Sequence, residues 1–97
     1  MICKSVYKVP DGKLLKILLD YDKNKNSINS IKITGDFFIY PEESIDVIEN
    51  ELENISLNEK ILLEKINNVI EKNNIQLIGL SAEGLKTGII MCVRNND

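Results

Sequence analysis

The sequence predicts an α+β fold: a three-stranded antiparallel meander, then helices packed on one of its faces. Three observations carry this. Residues 3–9, 13–21 and 28–35 alternate apolar and polar side chains, the period-two pattern of half-buried strands. The links between them, Pro10-Asp11-Gly12 and a polar loop over 22–27, are short, as between antiparallel neighbours. Beyond Pro41 the apolar residues recur at three and four instead of two.

In the first strand Cys3, Ser5, Tyr7 and Val9 share one side, and Lys4, Val6 and Lys8 the other. Pro10-Asp11-Gly12 reads as a tight turn, with Pro presetting φ and Gly supplying a left-handed position. In the second strand Leu15, Ile17, Leu19 and Tyr21 point to the core, and Leu14, Lys16, Leu18 and Asp20 away from it. The third strand places Ile31 and Ile33 on the core side. Helices covering that face would leave Lys4, Val6, Lys8, Leu14, Lys16, Leu18, Lys32 and Thr34 on the other, a mixed basic and apolar surface unusual for one meant only for water.

Gly35 and Asp36 then interrupt the pattern, and Phe37 and Phe38, the two phenylalanines of the chain, follow. Adjacent residues of extended chain point to opposite sides, so one phenylalanine belongs to the core. Pro41 opens a helix, with Glu42 and Glu43 at its positive end. Ile45, Ile48, Leu52 and Ile55 form its apolar stripe, over about 42–53. Ser56-Leu57-Asn58-Glu59 matches a capping box, starting a second helix that runs to Lys72 with the stripe Leu62, Ile66, Val69 and Ile70. Asn73-Asn74 ends it, and residues 75–80 form a connector or small strand. Ser81 reads as another N-cap, and Ala82, Leu85, Ile89 and Cys92 recur at helical spacing. Gly84 and Gly88 oppose that reading, and residues 89–93 also fit a strand, so the pattern leaves both open.

A chain of 97 residues is read as one domain spanning 1–97, with a modest core. No apolar run is long enough to cross a membrane and no charged-then-apolar leader opens the chain. Two cysteines far apart fit neither a disulfide framework nor a zinc site and suit a reducing cytoplasm, as buried apolar fillers. The net charge of −3 is uneven: residues 1–35 carry seven Lys against three Asp, and residues 36–97 carry five Lys or Arg against twelve Asp or Glu. The basic half could face an anionic partner.

Catalytic equipment is sparse. There is no His, the commonest acid–base group near neutral pH. Gly12-Lys13 lacks the upstream glycine and following Ser or Thr of a phosphate-cradling loop. The candidates are therefore binding residues: Lys13 as a positive charge beside the first turn, Gly35 permitting the hinge, Asp36 capping it by accepting backbone N–H bonds, and Phe37 beside them. Lys16 and Lys32 on the open sheet face complete the set.

Tyr7-Lys8-Val9-Pro10-Asp11-Gly12-Lys13-Leu14, then Ile33-Thr34-Gly35-Asp36-Phe37-Phe38 and Pro41-Glu42-Glu43, resemble the accessory domain of lipoate–protein ligases. Gly79-Leu80-Ser81-Ala82-Glu83 resembles the start of that domain's final helix, which makes three helices in all. The resemblance implies the separate small subunit of a bipartite ligase, or an excised accessory domain. The large catalytic subunit activates lipoate with Mg-ATP to lipoyl-AMP, then transfers the lipoyl group to a lysine of lipoyl-domain proteins such as E2 or H-protein. It implies no cofactor, catalytic residue or metal on this chain alone, no nucleic acid or membrane partner, and a cytoplasmic location. The alternative is a scaffold for iron–sulfur or sulfur transfer, which requires an exposed, reactive cysteine.

Overall fold

The computed structural model describes residues 1–96. Strands β1 (Ile2–Lys8), β2 (Leu14–Asp22) and β3 (Ser27–Gly35) form an antiparallel sheet in the order β1-β2-β3. The expected meander is present, with ends within two residues of those read from the alternation. One irregularity lies inside β3. Asp20 pairs with Ser30 but Tyr21 with Ile28, so Asn29 is bulged out. The bulge lets both Ile28 and Ile31 face the core although they are three residues apart.

After β3 the chain does not pass directly into helix. Phe38–Tyr40 forms a short strand, β4. A turn follows, closed by the Ser44 N–H donating to Pro41 O at 3.0 Å, and α1 spans Ser44–Glu51. The helix thus starts after Pro41, Glu42 and Glu43, which form the turn that feeds it. The next helix, α2 (Glu59–Lys72), is capped differently from the expected box. Its N-cap is Asn58, whose side chain accepts from the N–H groups of Lys60 and Ile61, while Ser56 Oγ accepts from Asn58 N. Glu59 does not reach back; its carboxylate takes Arg94 at 2.9 Å and Lys86 at 3.4 Å. Asn is as good a cap as Ser, so the helix starts two residues later than the box would place it. Strand β5 (Gln76–Ile78) pairs antiparallel with β4, and the last element is a helix, α3 (Ala82–Asn96). Ser81 caps it as expected, its Oγ accepting the Gly84 N–H at 2.9 Å.

All three helices lie on the sheet face that carries Leu15, Ile17, Leu19 and Tyr21. Their buried stripes are Ile48 and Leu52, then Leu62, Ile66 and Val69, then Leu85, Ile89 and Cys92. The glycines of α3 explain its closeness to the sheet. A Cβ on Gly84 would lie 3.0 Å from Val9 Cγ1, and one on Gly88 only 2.7 Å from Leu15 Cδ2. The buried Ser5 hydroxyl donates to Gly88 O at 2.8 Å. On the outside, Lys86 joins α3 to α2 by pairing with Glu83 and Glu59, and those carboxylates, Glu83 first, raise its pKa.

The outer edge of β3 is engaged at two places. Ile28 donates to Ile55 O at 2.9 Å and accepts from Asn54 N at 2.7 Å. The Ile33 N–H donates to the half-buried carboxylate of Glu49 on α1 at 2.8 Å. No helix among the described residues is long and apolar enough to cross a membrane.

Gly88→Ala tests the close approach. In an exposed helix the change would stabilise by about 1 kcal/mol. Here the methyl meets a fully buried leucine in a filled core, so it should cost about 1–3 kcal/mol and lower the melting temperature in a thermal scan.

Candidate functional site

One corner of the molecule gathers three segments distant in sequence: the β1–β2 turn, the exit of β3 and the link from β5 to α3. The turn is closed by the Gly12 N–H donating to Val9 O at 2.8 Å. Its left-handed residue is Asp11, with φ 56°, not Gly12 as the sequence suggested. Gly12 is required for space, because a Cβ there would lie 2.6 Å from Gly79 O. That same carbonyl accepts the Lys13 N–H at 2.8 Å, so the turn is bonded to the β5–α3 link through its backbone. Lys8 fastens the turn from the other side, its ammonium donating to Gly12 O at 2.7 Å and Val9 O at 3.3 Å. The two lysines of the Lys-x-Pro-x-Gly-Lys stretch therefore differ. Lys8 is committed to turn carbonyls. Lys13 lays its stem where a Gly79 side chain would be, 2.5 Å from the Cβ position, and forms no ion pair among the described residues.

The hinge meets the turn at Leu14, whose carbonyl accepts the Asp36 N–H at 3.0 Å. Gly35 has φ 154°, and a Cβ on it would lie 2.1 Å from that carbonyl oxygen. No other residue fits there without moving the backbone. Asp36 was expected to cap the hinge with its side chain. Instead its main-chain N–H makes the bond, and its exposed carboxylate accepts no hydrogen bond among the described residues. Phe37 is half-buried against the core, while Phe38 stands 68% exposed. The structure thus brings Lys13, Gly35 and Asp36 to one corner with Phe37 behind them.

A ribbon adjoins this corner; the sequence offered a small strand at 75–80 for one half of it but no partner at 38–40. Phe38 pairs with Ile78 and Tyr40 with Gln76 across β4 and β5, all four on the solvent side. Phe38, Tyr40 and Ile78 make an exposed apolar patch that ends one residue before Gly79. The adjacent phenylalanines and the short apolar run at 75–80 were its visible signals.

Lys16 and Lys32 lie apart from the corner, on the open sheet face. Register puts Lys4, Leu18 and Lys32 in one row across the strands and Val6, Lys16 and Thr34 in the next. No lysine is directly opposite another, which avoids the cost of paired like charges. Lys32 is 3.7 Å from Glu49, and Lys4, Val6, Lys16, Leu18, Lys32 and Thr34 line a shallow groove. The alternative sulfur-transfer reading requires an exposed thiol, and both cysteines are buried.

Comparison with known proteins places residues 14–87 in the family described as the bacterial lipoate protein ligase C-terminus. The chain is 42% identical over 70 residues to lipoate-protein ligase A subunit 2 of Thermoplasma acidophilum, a match over 72% of this chain and 65% of that protein's length. Its fold is similar to a solved chain from an archaeal lipoylation system, a bi-partite lipoate protein ligase and its E2 lipoyl domain from Thermoplasma acidophilum. The TM-score is 0.77 at 30% identity, over 92% of this chain and 94% of the other.

Substitutions separate the two hinge residues. Gly35→Ala forces both a rare backbone angle and a clash, and should cost about 2–3 kcal/mol in chemical denaturation. Asp36→Ala removes no hydrogen bond and should stay within about 0.5 kcal/mol of the parent.

Proposed function

The chain belongs to the family of the bacterial lipoate protein ligase C-terminus, and from that membership we propose that it is the small accessory subunit of a bipartite lipoate–protein ligase. The single observation that carries this is the match to a protein itself described as subunit 2 of such a ligase. The fold likeness to a chain of a bipartite system supports it. On this reading its partner is a large catalytic subunit, in the cytoplasm. That subunit binds lipoate and Mg-ATP and forms lipoyl-AMP, and lipoyl-domain proteins receive the lipoyl group on a lysine. The present chain is non-catalytic and acts as one domain over its 97 residues.

We further propose that the corner of Lys13, Gly35, Asp36 and Phe37 is the surface that serves the activation step, with Lys16 and Lys32 extending it onto the open sheet face. Three features support the assignment. The corner is held by backbone bonds from three segments, so its shape does not depend on side-chain order. Lys13 presents a positive charge that the described residues leave without an ion pair, beside an apolar patch suited to burial against a partner. The lysine checkerboard extends the positive field across the sheet. The role of the chain is then to position and complement charge at a phosphate or acidic surface of the large subunit.

ATP–pyrophosphate exchange tests the reading. The chain alone should show no lipoate-dependent exchange, and adding a large subunit should restore it; exchange by the chain alone, free of contaminants, would overturn the accessory role. Lys13→Ala should change stability by no more than about 0.5 kcal/mol yet weaken complex formation or exchange. If both stay at the parental level, the working surface lies on the open sheet face instead.

A further inference from the structure

We propose that Cys3 and Cys92 are one oxidisable dithiol, the site of an intramolecular disulfide that ties the first strand to the last helix. The thiols lie 89 positions apart in sequence, yet Cys3 Sγ donates to Cys92 Sγ at 2.8 Å, and the two residues are 6% and 0% exposed. Regular structure on both sides sets the pair. Cys92 lies one helical turn beyond Gly88, and Cys3 lies two residues before Ser5 on the same face of β1. Between them the Ser5 hydroxyl is bonded to Gly88 O at 2.8 Å. The register of α3 on β1 that brings Ser5 to Gly88 also brings Cys3 to Cys92.

The chemistry balances with a two-electron oxidant of the peroxide or disulfide class. Both S–H bonds break, one S–S bond forms, and the pair gives up two electrons and two protons. Hydrogen peroxide accepts these and leaves as two waters; a disulfide accepts them and leaves as two thiols. Approach to the bonded separation needs roughly 0.8 Å of movement. Burial sets the pace, since an oxidant reaches the pair only when β1 or the end of α3 opens locally. In a reducing compartment the dithiol form persists, and oxidation adds a bridge that closes almost the whole chain into one loop, the case in which a cross-link restricts the unfolded chain most. None of this depends on the ligase reading.

The test uses the whole chain and two oxidants, hydrogen peroxide and oxidised glutathione. Each is applied to the native protein and, in parallel, during refolding from urea, so that burial alone cannot hide the reaction. The expected product is a monomer lighter by two hydrogen atoms. After denaturation it takes no alkylating reagent until reduced, and digestion yields a cross-linked pair of peptides carrying Cys3 and Cys92. Its melting temperature should exceed that of the reduced protein by roughly 10 °C, reversed by dithiothreitol. Cys92→Ala and Cys3→Ala, each compared only with its own reduced form, should lose the oxidant-dependent shift. Separate glutathione adducts on the two thiols, disulfide-linked dimers, no mass change in either protocol, or a bridged chain that melts no higher than the reduced one would each overturn the proposal.

Discussion

The approach of α3 to the meander is the constraint on which the rest of the structure depends. Gly84, Gly88 and Cys92 recur every fourth residue and so share one face of the helix. Against that face lie, in turn, Val9, then Leu15 and Ser5, then Cys3. Small side chains at these positions let the helix backbone sit where a larger residue would hold it away. The leucines and isoleucines on either side of the stripe then reach the sheet, and α2 closes over them. The start of the same helix fixes the candidate corner: Ser81 caps it, and Gly79, two residues earlier, bonds the first turn through its carbonyl. Packing and site are thus two ends of one helix placement.

Much of this was legible in the sequence, and the failures have physical causes. The strands were readable because one face of the meander is dry and the other wet, which forces strict alternation at Leu15, Ile17 and Leu19. The third helix was ambiguous for a reason now visible. Gly84 and Gly88 lower helix propensity locally, but they are selected by contact with Val9 and Leu15, which no local reading contains. The β4–β5 ribbon was half seen, as a possible strand at 75–80, because each strand has only three residues and its partner lies far along the chain. At the site, the residue types around the turn and hinge were recognisable, but their roles were not. Lys8 is committed by Val9 O and Gly12 O, a side chain at Gly35 is blocked by Leu14 O, and one at Gly12 by Gly79 O. These are backbone atoms, and a sequence does not advertise them.

The charge division also gains a structural meaning. The meander displays Lys4, Lys16 and Lys32 interleaved with Val6 and Leu18 on the face turned away from the helices, while the helices carry seven acidic residues beside five Lys or Arg. The sheet face is therefore the locally positive side, and such a field acts on the orientation of an approaching charged partner more than on fold stability.

The engaged edge of β3 has a consequence for self-association. Glu49 and the segment around Ile55 occupy backbone groups there that an added strand would need, whereas β1 has no strand on its other side. The sheet is thus more open to extension on its β1 side. Two molecules joined antiparallel through β1 would form a single six-stranded sheet whose outer strands are both β3, where Ile28 and Ile33 already have partners that an added strand would displace. A fibril needs two complementary edges per subunit, so a partly occupied β3 edge works against polymerisation by strand addition.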